Sequence, residues 1–132
     1  MKYFYQAYGF NFSSDFIIDE MITGGDGKDI SVKLGKTPGQ IPSPIIKGNS
    51  YEISRDEAII TIKNVAKYYI NKGKSVIIEK FKDSTIEEVK LYLLGFVLGT
   101  LMHQRNELIL HANVLNRNGE AILLAGERGA GK

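Results

Sequence analysis

The sequence predicts an α+β fold: a β-rich first half, one long buried helix, then an antiparallel hairpin that leads into a glycine-rich loop. Three observations predict it. Short β-branched and aromatic runs, separated by turn residues, fill the first half of the chain. The stretch "DSTIEEVKLYLLGFVLGTLMHQR" carries a strong helix pattern with charges suited to each end. Asn118-Gly119 lies between two apolar runs, the strongest short hairpin signal a sequence offers. Together they divide the chain into a β-rich region, 1–83, and a region 84–132 that holds the helix, the hairpin and the start of the loop.

Composition narrows the function classes. The chain has 132 residues, 43% hydrophobic and 24% charged, which fits one globular domain with a sizeable core. Its 17 basic and 15 acidic residues leave a net charge of +2, too even to point to a nucleic-acid or membrane-surface partner. No cysteine is present, so disulfides, thiolate metal sites and cysteine nucleophiles are excluded, and two histidines are too few for a multi-histidine zinc site. The opening "MKYFYQAYGF" has polar residues where a signal peptide needs an unbroken apolar stretch. The longest apolar run, 91–102, is 12 residues long, against the ~20 that a spanning helix needs. A cytoplasmic protein is expected.

In chain order, "YFYQAYGFNF" shows period-two alternation that places Phe4, Tyr8, Phe10 and Phe12 on one face. "GGDGKD" reads as a polar turn before the short strand "ISVKL"; no helix pattern follows it, which argues against a phosphate loop there. "TPGQIPSP" gathers all three prolines and must be irregular. Beyond it, "EAIITIK", "VAKYYI" and "SVIIEK" read as strands, the last two joined by a turn centred on Lys72 and Gly73. Lys63, Lys67, Lys72, Lys74, Lys80 and Lys82 surround Tyr68 and Tyr69. An RNA-binding sheet has this composition, but a solvated sheet face is the commoner explanation.

In the helix, Asp83, Ser84 or Thr85 serves as N-cap, Glu87 and Glu88 suit its positive end, and His103 and Arg105 its negative end. It is apolar nearly all round over 91–102, which predicts burial on several sides. Gly95 and Gly99, one turn apart, are expected to admit a closely packed neighbour, and His103 to act as a capping residue.

A two-residue turn at Asn118-Gly119 fixes a register. Arg117 faces Glu120, Leu115 faces Ile122, and without a bulge His111 falls opposite Gly126. Alternation puts Leu108, Leu110, Ala112 and Val114 on one face and Ile109, His111, Asn113 and Leu115 on the other. His111 is either satisfied by a backbone carbonyl or stands beside bound phosphates; the sequence leaves both readings open.

"GERGAGK" supplies Gly126, Glu127, Arg128, Gly129, Ala130, Gly131 and Lys132, the spacing of a Walker A loop up to its lysine. The pattern alone is weakly specific, but the buried-strand run "AILLA" leading directly into Gly126 is the setting a P-loop requires. Glycines there let backbone N–H groups converge on phosphate oxygens, and Lys132 reaches the β- and γ-phosphates.

"VAKYYINKGK", "LLGFVLGTLMHQR", "LHANVL" and "NGEAILLAGERGAGK" together resemble the P-loop kinases related to the catalytic domain of HPr kinase/phosphorylase, especially the HPr-kinase-like proteins found with lasso-peptide biosynthesis genes. The resemblance covers about 57–132 and is most specific from Leu91 onward. It implies ATP- and Mg²⁺-dependent phosphorylation of a serine or threonine on a protein or peptide acceptor. It also implies an incomplete kinase domain of phosphoenolpyruvate carboxykinase-like fold, with antiparallel strands entering the P-loop. Gly126, Gly131 and Lys132 match the family's phosphate loop, and His111 matches the histidine of the preceding strand. Arg128 stands where family loops often have serine. The magnesium-binding hydroxyl, acidic metal ligand and catalytic carboxylate of such kinases fall beyond Lys132, so these residues are expected to be inactive alone. The missing cover over the loop is expected to leave apolar surface exposed and to favour self-association. Two alternatives stand beside the kinase: a non-catalytic β-rich module that binds a peptide or partner chain, and a nucleotide-sensing regulator.

Overall fold

The computed structural model describes residues 1–107 and 112–125. The strands are β1 (Tyr3–Ala7), β2 (Phe10–Ser14), β3 (Ile22–Thr23), β4 (Ile30–Leu34), β5 (Ile46–Lys47), β6 (Tyr51–Ile53), β7 (Glu57–Ile62), β8 (Ala66–Asn71) and β9 (Ser75–Lys80). A helix follows, formed by α1 (Ile86–Tyr92), a π-helical turn (Leu93–Val97) and α2 (Leu98–Gln104), then β10 (Ala112–Arg117) and β11 (Glu120–Ala125). The first nine strands make one mixed sheet in the order β3-β1-β2-β4-β9-β8-β7-β6-β5. Its centre is parallel, β2 beside β4 and β4 beside β9, and every other pairing in it is antiparallel. The chain is thus an α+β fold, strand-rich, with one interrupted helix.

The aromatic N-terminus departs from the expected alternation. Tyr8 and Gly9 have φ of 55° and 82°, and β1 and β2 fold back on each other there, with Tyr5 opposite Phe12. Two residues with positive φ are what a tight hairpin turn requires. The turn resets the phase, so Tyr5 and Phe12 enter the core while Phe4 and Tyr8 are exposed. The turns at Lys72-Gly73, with φ of 53° and 65°, and at Asn118-Gly119, with φ of 53° and 84°, fall where the sequence predicts them. "TPGQIPSP" contains no strand, as its prolines require.

One face of the sheet carries the core. Ile30 and Val32, Val76 and Ile78, Ala66, Tyr68 and Ile70, and Ala58 and Ile60 alternate onto it and meet Val89, Leu93, Val97, Leu98, Leu101 and Met102 of the helix. Tyr68 is fully buried, and its hydroxyl donates to the Val89 carbonyl at 2.9 Å. That tyrosine is therefore a core residue, whereas Lys67 and Tyr69 alternate onto the opposite face.

Thr85 caps the helix: its hydroxyl oxygen accepts from the Glu88 amide at 3.2 Å. Ser84 is buried instead, its hydroxyl 2.7 Å from the Val65 carbonyl. Val89, Leu93, Val97 and Leu101 recur every fourth residue, a spacing that drifts around a 3.6-residue helix. The π-helical turn widens the helix between them, cancels part of that drift, and keeps all four buried. Among the described residues nothing covers the outer face, contrary to the expectation of burial on several sides. Leu91 and Phe96 are 68% and 50% exposed, and a Cβ at Gly95 or Gly99 would meet no described atom within 4 Å. The apolar run that looked uniformly buried covers a single face of the sheet.

Candidate functional site

The hairpin is built as its turn demands. β10 and β11 pair without a bulge from Arg117↔Glu120 through Leu115↔Ile122 to Ala112↔Ala125, which is the register read from Asn118-Gly119. The Asn116 side-chain oxygen accepts from the Gly119 amide at 3.1 Å and stiffens the turn. Leu115 and Ile122 on one face and Leu123 on the other are all exposed. Strand β11 ends at Ala125, immediately before the glycine-rich loop in sequence. His111 and Gly126, Glu127, Arg128, Gly129, Ala130, Gly131 and Lys132 lie outside the described residues.

Among the described residues, a cleft of about 450 Å³ lies at the C-terminal end of the helix. Ser54, Arg55 and Asp56 of the β6–β7 turn line it with His103, Gln104 and Asn106, and Ile45, Ile46 and Ile53 supply its apolar wall. Local structure explains why the helix end is fixed there. Asn106 adopts a left-handed φ of 61°, its amide donates to the His103 carbonyl, and the Glu107 amide donates to the Met102 carbonyl, each at 3.0 Å. This is a Schellman cap with asparagine in the position usually held by glycine. His103 enters it through its carbonyl, while its exposed imidazole borders the cleft.

The same end is tied to the β8–β9 turn. The Gln104 side-chain oxygen accepts from the Gly73 amide at 2.8 Å, and its amide nitrogen donates to the Ile70 carbonyl at 3.2 Å. Arg105 donates to the Gly73 carbonyl at 2.6 Å while its guanidinium lies 4.3 Å from the centre of the Phe10 ring. The sequence assigned Arg105 to the helix dipole and His103 to the helix dipole and its cap, and gave no residue of the cleft a role in a site. Its lining comes from three separated stretches, and only the asparagine at the helix end was a readable signal.

Two ionic clusters stand elsewhere. Lys90, its side chain 5% exposed, is held by Asp19 at 2.6 Å, Glu20 at 3.1 Å and Glu87 at 3.3 Å. The Asp19 hydrogen bond, foremost, raises the lysine's pKa, and the bond from Lys90 lowers that of Asp19. Lys90 is thereby a fixed cation, poorly suited to act as a base or nucleophile. On the opposite side, Glu79 accepts from the Thr37 amide at 3.0 Å and the Thr37 hydroxyl at 2.8 Å, with Lys36 at 3.3 Å. The Thr37 amide first, then its hydroxyl and Lys36, hold the carboxyl down at about 2. This pins the proline loop to β9.

No group of three His, Cys, Asp or Glu side chains among the described residues is arranged to hold a metal ion. Among the same residues no helix is long and apolar enough to cross a membrane. In comparisons with known proteins, no family model matches the chain, no curated protein matches its sequence and no solved structure matches its fold.

Proposed function

We propose that this chain carries the phosphate-binding loop of a cytoplasmic ATP-dependent kinase that phosphorylates serine or threonine on a protein or peptide acceptor, in the manner of the HPr-kinase-like proteins of lasso-peptide clusters. The observation that carries the reading is the unbroken pairing of β10 with β11 up to Ala125, followed directly in sequence by Gly126. A strand entering a glycine-rich segment that carries a lysine is the arrangement that presents backbone N–H groups and an ammonium to a triphosphate. Gly126, Glu127, Arg128, Gly129, Ala130, Gly131 and Lys132 would hold the phosphates, with Lys132 on the β- and γ-groups. His111 would stand on the strand beside them. Mg²⁺, when bound, neutralises charge developing on the transferred phosphoryl group.

A second reading has its own support. The exposed Leu115, Ile122 and Leu123 give the hairpin apolar surface on both faces, as a peptide- or partner-binding module or a self-associating one would have.

Titration of the chain with ATP separates the two. Saturable binding that weakens about 10- to 100-fold in Lys132→Ala is expected, the effect of losing one charged hydrogen-bonding partner. Absence of binding, or binding indifferent to Lys132, would leave the partner-binding reading in its place.

A further inference from the structure

Residues 15–21 cross from β2 toward β3 without joining the sheet as a strand. They bury Phe16, Ile18 and Met21, and beyond Asp15 side chains such as Ser14, whose hydroxyl donates to the Phe16 carbonyl at 2.7 Å, take the place of a strand ladder. The Asp15 amide donates to the Val32 carbonyl at 3.1 Å. After it, among the described residues, these amides donate to side chains or within the segment. Phe16 N–H reaches the Ser14 hydroxyl at 3.2 Å, Ile18 N–H the Tyr5 hydroxyl at 2.9 Å, and Met21 N–H the Ile18 carbonyl at 3.1 Å.

Phe16, Ile18 and Met21 share the core with the helix, and the polar attachment of this segment to the helix is ionic. Asp19 and Glu20 both reach the Lys90 ammonium, and Glu87, one turn back on α1, completes its shell. The two partners contributed by the segment are themselves exposed, Asp19 at 75% and Glu20 at 48% of the side chain. The buried cation therefore depends on two carboxylates that solvent can reach. Removing partners from a buried charge costs far more than losing a surface pair, because the charge left behind is desolvated.

A second observation gives the segment something to control. Glu20 and Met21 also wall a groove of about 390 Å³, with Gln6, Ala7, Tyr8, Ile22 and Leu94 as the other walls. Leu94 belongs to the π-helical turn, so the groove lies between the segment, the β1–β2 turn, β3 and the altered stretch of helix.

We propose that residues 15–21 form a strap that opens as a unit, that Lys90 is its latch, and that its opening reshapes the groove walled by Glu20 and Met21. The closed form dominates, because opening exposes three buried apolar side chains; the open form is a minor state reached without unfolding the sheet.

Hydrogen exchange on the full chain tests this, comparing the native protein with an Asp19→Asn/Glu20→Gln variant. Glu87 still faces the Lys90 ammonium in the variant and the core side chains are untouched, so the variant is expected to fold. The Phe16, Ile18 and Met21 amides should exchange at least about tenfold faster in the variant, while the β8 and β9 amides keep their rates. Lys90→Met, which removes the buried charge itself, should give back much of the lost protection. Equal acceleration of strap and sheet would overturn the proposal, since the ion cluster would then serve global stability alone. Unchanged strap exchange in the variant would overturn it too.

Discussion

Gly73→Ala should be among the most damaging single-methyl changes in the chain, and the structure gives the reason. Gly73 has φ of 65°, and a Cβ there would lie 2.4 Å from Arg105 Cγ. A left-handed conformation costs a non-glycine residue about 1–2 kcal/mol. The clash adds to this by displacing Arg105. That breaks the 2.6 Å hydrogen bond to the Gly73 carbonyl and the 4.3 Å stacking on Phe10. Such contacts are worth about 1.5–3 kcal/mol for a charged hydrogen bond and about 0.5–1 kcal/mol for an exposed cation–π pair. Arg105 is partly solvated, so water recovers some of the loss, and a total of about 2–4 kcal/mol is expected. Gly119→Ala is the matched control: φ is 84°, but no described atom lies within 4 Å of its Cβ. Only the conformational cost applies there, at most about 1–2 kcal/mol. Urea unfolding of the two variants, each also made in an Arg105→Ala background, reads the difference. In that background the Gly73→Ala loss should fall to the level of Gly119→Ala. Equal losses in the two single variants, or a Gly73→Ala loss unaffected by Arg105, would refute the reasoning.

Other expectations follow from particular contacts. Tyr68→Phe removes a buried hydroxyl from the Val89 carbonyl, and the urea midpoint should fall by an amount equivalent to about 1 kcal/mol. Glu79 supplies a pH dependence. Its folded pKa, about 2, lies below the ordinary carboxylate value of 4.5, so its contribution is complete above that ordinary value and is lost as pH falls toward 2. Between those limits the native midpoint should drop more steeply than that of Glu79→Gln; parallel curves would contradict the assignment.

The legible and illegible parts of the fold divide on physical lines. The turns at Lys72-Gly73 and Asn118-Gly119 were readable because positive φ at two adjacent positions restricts residue choice locally. The Tyr8-Gly9 turn obeys the same rule, yet it lies inside an aromatic run whose even positions mimic one continuous strand. Helix existence and both end signals were readable. Its exposed face was not, because Leu91 and Phe96 are apolar and periodicity cannot tell a buried leucine from an exposed one. Parallel pairing of β2, β4 and β9 joins segments distant in sequence and leaves no local mark. The cleft around His103 escaped notice for the same reason, since Ser54, Arg55 and Asp56 reach it only through the fold. The glycine-rich loop presents the opposite case: its sequence pattern is plain, while its residues fall outside those described.

The central claim is that nucleotide phosphates are held at the glycine-rich loop, and amide NMR during an ATP titration tests it most directly. The account predicts that the largest shifts fall on Gly126, Gly129, Gly131 and Lys132, and that Lys132→Ala suppresses them together. Shifts centred instead on Arg55, His103 and Asn106, or none at all, would contradict it.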